Sequence, residues 1–546
     1  MIVFDQVSIR YAADKPVIVR EVNLSLPEGQ LILLTGRTGS GKSTLLGAIN
    51  GHVPHFTGGI LTGRVLVDGM DTAKSRPRDM AHLVGVVPQD PLAGFVTDTV
   101  EEELAYGMEQ AGVASAVMRT RVEETMDILG LADLRLRSLR SLSGGQQQRV
   151  AIGSVLATGA RVLVLDEPTS ALDPVSSEEV LASLLRLVHD IGLTVVIAEH
   201  RLERVAGYAD RMILLAGGGQ VIEGSTTEIM AISPLVPPVV DLGRRAQFPD
   251  TPLTVRQARH QVAPLRTALA RLDPHTYQRL PIDASSKESD STERSGLVIH
   301  NLSVSFGPHL AVHNLSAILA AGQVTVIMGR NGSGKSSLLW ALAGVQPLTS
   351  GTFAVNGTPL HNLAAKKVRD YIRLVPQTAT DLLYLPTVEL ECQAADRESG
   401  ANPGSCMDIL NTLVDKVDPA WHPRDLSEGQ KLCLVLAIQL TVHPQVIVLD
   451  EPTRGLDYPA KRALSLMLTR MAAEGQVVGV VTHDVEFAAE VADQIIVMAT
   501  GEVIQSDEAS VVLATSALFA PQVAKVLYPA QWLTPYQVGQ ALRDRP

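Results

Sequence analysis

Cysteine is scarce. The chain has three in 546 residues, Cys392, Cys406 and Cys433, all in the second half and none in C-x-x-C spacing. That count and spacing speak against a disulfide framework and against a cysteine-based zinc or iron–sulfur centre, and a reducing compartment is expected. Long apolar runs are also missing. No stretch approaches the ~20 residues that a helix needs to cross a bilayer, so any membrane role must come through a partner. The opening MIVFDQVSIRY has no basic region followed by an apolar stretch, which is not the pattern of a signal peptide. Positive charge is in deficit: the formal net charge is -12, which argues against a protein that coats nucleic acid. What remains is ordinary globular composition, 46% hydrophobic and 19% charged. The chain is too long for one core, so at least two domains are expected.

The chain repeats itself. GRTGSGKST begins at Gly36 and GRNGSGKSS at Gly329; VPQ ends at Gln89 and at Gln377. LSGGQ begins at Leu142 and LSEGQ at Leu426, while VLVLDEPTSALD begins at Val162 and VIVLDEPTRGLD at Val446. A histidine follows at 200 and at 483. The separation shrinks from 293 residues at the glycine loops to 283 at the histidines, as in a duplicated domain that has lost a few loop residues. A fainter echo, Leu253-Thr-Val-Arg-Gln against Leu533-Thr-Pro-Tyr-Gln, suggests a small helical appendage after each half. Residues 266–295 read as a polar linker with five basic and five acidic residues. The expected division is therefore 1–265, linker 266–295, and 296–546. Bare apolar strands such as VLVLD and VIVLD alternate with helical spacing such as SSEEVLASLLRLVHD. That pattern predicts α/β halves, each around a mostly parallel sheet buried on both faces.

The glycine loops carry the first chemistry. Gly36, Gly39, Gly41, Lys42, Ser43 and Thr44, and Gly329, Gly332, Gly334, Lys335, Ser336 and Ser337, each lie between an apolar strand and a predicted helix. Glycines let backbone N–H groups turn toward phosphate oxygens, and the helix N-terminus adds a positive dipole end. Lys42 and Lys335 are expected to reach the β- and γ-phosphates, and Ser43 and Ser336 to bind Mg²⁺. Asp166 and Asp450, each ending an apolar strand, are expected in the Mg²⁺ shell. Glu167 and Glu451 follow as candidate general bases toward the attacking water. Gln89 and Gln377 are expected to contact Mg²⁺ or water. His200 and His483 are expected to sense the γ-phosphate, against the plain alternative of a structural histidine.

Glycine loop, Gln, LSGGQ-like string, Asp-Glu and His, in that order and twice, resemble the ABC ATPase family across nearly all of both halves. The resemblance implies ATP and Mg²⁺ as cofactors. It also implies two tandem P-loop domains, each with a RecA-like core, a β-subdomain and a helical subdomain. Ser143, Gly145 and Gln146, and Ser427, Gly429 and Gln430, would form phosphate-binding lips, each closing on ATP held by the other half. The halves would then pair intramolecularly, at raised effective concentration. Tyr11 and Phe306 match the family's adenine-stacking aromatic, and a core role fits each equally. Asp173 and Asp457 match its D-loop. The second signature departs from the pattern: Glu428 replaces Gly144. A carboxylate facing the γ-phosphate would weaken that site; one pointing outward would leave it intact. The sites are expected to be competent and unequal.

The segment DPLAGFVTDTVEEELAYG after Gln89, and the shorter TATDLLYLPTVELE after Gln377, resemble the region by which energy-coupling factor ATPases grip their coupling subunit. That resemblance implies a protein on the cytoplasmic face of the membrane. Its partners would be an integral membrane coupling subunit and a substrate-capture membrane protein, and its cargo a vitamin, vitamin precursor or metal ion. Two other readings are a tandem ATPase of a sugar or peptide importer and a soluble ABC protein acting on ribosomes or DNA. The short, charge-balanced linker and the missing zinc cysteines count against the last, and no nucleic-acid partner is expected.

Overall fold

The structure, a computed structural model, describes residues 2–170, 172–280, 296–414 and 417–544. Residues 281–295 of the expected linker lie outside them. The chain forms two compact units: residues 1–240 with 251–254, and residues 241–250 with 255–546.

The first unit begins with antiparallel strands. β1 (Ile2–Arg10) pairs with β2 (Val19–Leu26). β3 (Leu31–Gly36) then runs into helix α1 (Lys42–Ile49). β4 (Ile60–Val67) and β5 (Met70–Asp71) complete a four-stranded sheet in the order β2-β1-β4-β5. β6 (Val84–Val87) leads through Gln89 to a helical layer of α2 (Val100–Gln110), α3 (Ser115–Leu129) and α4 (Gly144–Ala157). Strand β7 (Val162–Asp166), helix α5 (Pro174–Ile191), and strands β8 (Thr194–Ala198), β9 (Arg211–Gly217) and β10 (Gln220–Ser225) finish the core. Its sheet has the order β10-β9-β3-β8-β7-β6, parallel except for edge strand β10. β3 and β8 are buried along their whole length. Strands covered on both faces need no polar alternation, which is why their sequences read as bare apolar runs.

The second unit takes in helix α6 (Val255–Gln261) and then repeats the plan. β11 (Gly296–Phe306) and β12 (His309–Ala320) pair, and β13 (Val324–Met328) runs into α7 (Lys335–Leu342). β14 (Ser350–Val355), β15 (Thr358–Pro359) and β16 (Ile372–Val375) follow. The helical layer is α8 (Val388–Ser399), α9 (Ser405–Leu413) and α10 (Glu428–Leu440). β17 (Val446–Asp450), α11 (Tyr458–Ala473), β18 (Val477–Val481), β19 (Gln494–Ala499) and β20 (Glu502–Glu508) complete the core. The strand orders, β12-β11-β14-β15 and β16-β17-β18-β13-β19-β20, match those of the first unit.

The unit closes with α12 (Gln522–Leu527) and α13 (Pro535–Arg543). Helix α6, from the stretch that follows the first half in sequence, packs on α12. The Arg259 guanidinium donates to the carbonyl of Lys525, and Arg266 donates to the carbonyls of Val526 (2.9 Å) and Tyr528 (3.1 Å). Trp532 is buried and stacks at a tilt on Tyr277, with ring centroids 5.7 Å apart. Among the described residues, no helix is long and apolar enough to cross a membrane.

Candidate nucleotide sites

In the first unit the glycine loop leaves β3 at Gly36 and enters α1 at Lys42. Gly41 takes φ 102° at the helix start, and a Cβ there would strike the side chain of Ile18. Glycine is what lets strand, loop and helix join without strain. The Lys42 Nζ donates to the carbonyls of Gly36 (3.1 Å) and Arg37 (3.3 Å), so its ammonium lies inside the curl of the loop. Ser43 Oγ donates to Asp166 Oδ2 at 2.7 Å. Burial raises the Asp166 carboxyl above the usual carboxylate range, and the Ser43 hydrogen bond opposes that shift.

Glu167 sits one residue beyond the strand with φ 50°, in the left-handed region, and its N–H donates to the Ala198 carbonyl at 2.9 Å. Glu451 repeats this with φ 49° and a bond to the Val481 carbonyl at 2.8 Å. Such a backbone costs a non-glycine residue of order 1–3 kcal/mol and persists where the surroundings fix it. Here it turns each glutamate toward the end of the neighbouring strand, where the histidine lies. Glu167 Oε1 meets His200 Nε2 at 2.8 Å, and its Oε2 accepts from Gln89 Nε2 at 3.2 Å. Tyr11, just after β1, is partly exposed and shares a 3.0 Å hydrogen bond with Thr44 Oγ1. Ser143 caps α4 in a reciprocal box: its Oγ accepts from Gln146 N (3.3 Å), and Gln146 Oε1 accepts from Ser143 N (2.9 Å). Asp173 caps α5 by accepting from Ser176 N at 3.0 Å.

The second unit uses the same frame with different fittings. Lys335 Nζ donates to the carbonyls of Gly329 (2.8 Å) and Arg330 (2.9 Å). Asp450 is buried. Burial pushes its carboxyl up to about 6, opposed by the hydroxyl of Ser336. Its Oδ1 is buried and has no hydrogen-bond partner among the described residues. An unsatisfied carboxylate oxygen beside a serine of the phosphate loop is the donor set a hard divalent cation takes, so these residues fit Mg²⁺. Glu451 Oε1 meets His483 Nδ1 at 2.8 Å. Gln377 is exposed and makes no side-chain hydrogen bond among the described residues, so Gln89 has no counterpart contact here. Phe306 ends β11, partly exposed. Ser427 and Gln430 form the same capping box on α10 as Ser143 and Gln146 form on α4.

Three features of the sites were not read from sequence. The Glu428 carboxylate pairs with Lys431 Nζ at 2.8 Å. Glu199 is fully buried and accepts from Thr169. Thr482, at the same place in the repeat, donates to Glu451. The Glu-for-Thr difference before the two histidines is visible in the sequence; its two side-chain directions are not.

A family model described as "ABC transporter" matches residues 19–170 and 312–454, which hold the glycine loops, Gln89 and Gln377, both signatures and the two Asp-Glu pairs. The chain belongs to the ABC transporter family. A putative ABC transporter ATP-binding protein of Streptomyces avermitilis is 50% identical over 99% of this chain and 100% of that protein. One from Bacillus thuringiensis is 31% identical over 92% of this chain and 91% of its own length. Among solved structures, the RNase-L Inhibitor covers 93% of this chain and 92% of its own at TM-score 0.56, with 20% identity, a likeness of fold. This ABC protein is therefore an ATPase with two tandem ABC domains, using ATP with Mg²⁺.

Proposed function

We propose that this ABC ATPase powers an importer of the energy-coupling factor type, peripheral on the cytoplasmic face of the membrane, for a vitamin, vitamin precursor or metal ion. The observation that carries the reading is the stretch after each glutamine. In the first unit Asp90 caps a short turn by accepting from Leu92 N, and Thr99 and Glu102 box the start of α2. The turn leaves Leu92 and Val96 exposed, Val96 at 62%. In the second unit Tyr384 stands 78% exposed in the same place. Apolar side chains held out by fixed caps suit a membrane subunit that docks there.

In this reading Lys42, Ser43, Gln89, Asp166, Glu167 and His200 bind one ATP, closed over by Ser427, Gly429 and Gln430. Lys335, Ser336, Gln377, Asp450, Glu451 and His483 bind the other, closed over by Ser143, Gly145 and Gln146. Tyr11 and Phe306 flank the adenines. The lysines and loop N–H groups hold the β- and γ-phosphates and spread their charge. Mg²⁺, when bound, neutralises charge developing on the phosphate oxygens. Glu167 and Glu451 orient the water and take its proton, and His200 and His483, each against its glutamate, sense the γ-phosphate. Closure and reopening of the pair then move the docked subunit.

The test is to tag the chain, extract source membranes gently and identify what co-purifies. A coupling subunit with a small substrate-capture protein is the expected result. Two ordinary permease subunits would replace this reading with a sugar or peptide importer. Ribosomal or DNA-bound partners with no membrane protein would overturn it.

A further inference from the structure

The residue before the histidine differs between the units: each side chain reaches the threonine two residues after the glutamate, Thr169 or Thr453, and only Thr482 also bonds the glutamate itself. Glu199 turns away from Glu167: its Oε1 accepts from the Thr169 N–H (2.9 Å) and hydroxyl (2.5 Å). Thr482 turns toward Glu451. Its hydroxyl donates to Glu451 Oε2 at 3.3 Å, accepts from Asp484 N at 3.0 Å and lies 3.5 Å from Thr453 Oγ1. The same Glu451 oxygen accepts from His483 N at 3.3 Å. Glu451 is thereby drawn against the end of β18. The matching oxygen of Glu167 accepts instead from Gln89, a side chain of the exposed loop after β6. One glutamate is tethered by the strand end, and the other by Gln89 in the loop after β6.

We propose that Thr482 is a positioning residue that holds Glu451 back against β18, so that the second unit's ATP site turns over more slowly than the first. The inference rests on the reading of Glu167 and Glu451 as the general bases. For Glu451 to reach a water on the γ-phosphate, its Oε2 must leave the hydroxyl, and that bond opposes each turnover. Glu167 meets no hydroxyl from position 199, which carries an acid; its Oε2 accepts instead from Gln89, itself a side chain read as part of the nucleotide site.

The experiment uses the full chain carrying E167Q, which leaves the second unit's glutamate as the only intact base. ATP hydrolysis is measured with kcat and KM resolved. T482V keeps the shape and removes the donor. The expected kcat rises at least about ten-fold, the lower end for one hydrogen bond to a charged carboxylate, with KM for ATP unmoved. T482S restores the donor and brings kcat back to the E167Q value. T482A carries the same expectation as T482V should valine disturb the packing. An unchanged or lower kcat in T482V and T482A, or a serine variant that behaves like valine, overturns the proposal. The E167Q/E451Q chain separates the two levels of inference. If it keeps normal turnover, the general-base reading fails; if it is inactive while the Thr482 variants do nothing, only the present inference fails.

Discussion

Glu428 and Lys431 form an ion pair of 2.8 Å across one turn of α10, at the start of the second signature. The lysine side chain is largely buried and the glutamate half exposed. The first signature has Gly144 and Gln147 in these places, so the acid and its neutralising base occur together. Sequence left the direction of the Glu428 carboxylate open; the structure sets it against Lys431 of the same helix. Removing the lysine alone should leave an uncompensated negative charge beside a phosphate-binding lip. K431M is expected to raise KM for ATP about three- to ten-fold at low salt, less at high salt, as screening dictates. E428G added to K431M should return KM to its starting value. The full chain's ATPase, measured against salt, checks both.

Glu199 sets a pH dependence of stability. Burial is the largest influence on its carboxyl and raises it above the ordinary carboxylate range; the Thr169 hydrogen bonds and nearby Arg204 work the other way. A group protonated more readily in the folded than in the unfolded chain binds extra protons in the native state. Its stabilisation is complete below the unfolded value of about 4 and is lost as pH rises through the folded value. Stability of the first unit should therefore fall with rising pH above that range. E199Q keeps the shape without the titration and should flatten the slope. Hydrogen exchange of β8 amides against pH measures it.

The α/β halves, the buried parallel strands and the order of loop, Gln, signature, Asp-Glu and His were legible because each rests on local pattern. A bare apolar strand, a glycine at a left-handed helix start and an acid at a strand end each leave a trace in a few consecutive residues. Contacts between distant side chains leave none. Gln89 bonds to Glu167 while Gln377 stays exposed, although both close the same VPQ string. Each glutamine stands the same distance before the next helix, which starts at Val100 in one unit and at Val388 in the other, so loop length does not distinguish them. The packing of α6 on α12 was likewise hidden, since Arg259 and Arg266 read as surface charge until their backbone acceptors are known.

The signature glycines differ in how much room they have. A Cβ on Gly145 would come within 2.9 Å of Ser176 Cβ on α5, while one on Gly429 would meet Ala460 Cβ at an ordinary 3.6 Å. Neither needs a positive φ, so sterics decide. G145A should force α4 from α5 and cost about 1–3 kcal/mol in the first unit. G429A should cost well under about 1 kcal/mol. Thermal unfolding of the two variants side by side gives the comparison, and equal losses would contradict the steric argument.

Lys461 on α11 and Asp484 after the histidine form a buried pair at 2.6 Å, the aspartate side chain only 2% exposed. The first unit ties the same elements with other residues: Arg204 donates to the Thr169 carbonyl (2.8 Å) and to Ser177 Oγ (2.7 Å), Ser177 standing where the second unit has Lys461. Breaking a buried pair from one side strands the other charge. K461M should destabilise the second unit by about 3–5 kcal/mol. Asp484 also caps a short helix by accepting from Phe487 N through Oδ1, the oxygen that does not touch the lysine. An asparagine there keeps the cap and loses the charge. K461M/D484N should therefore recover most of the loss, whereas D484N alone should not, because it leaves the ammonium buried. Hydrogen exchange of α11 amides in the three variants decides: if K461M and K461M/D484N open equally, the cost lies in packing around the methylene stem and not in the stranded charge.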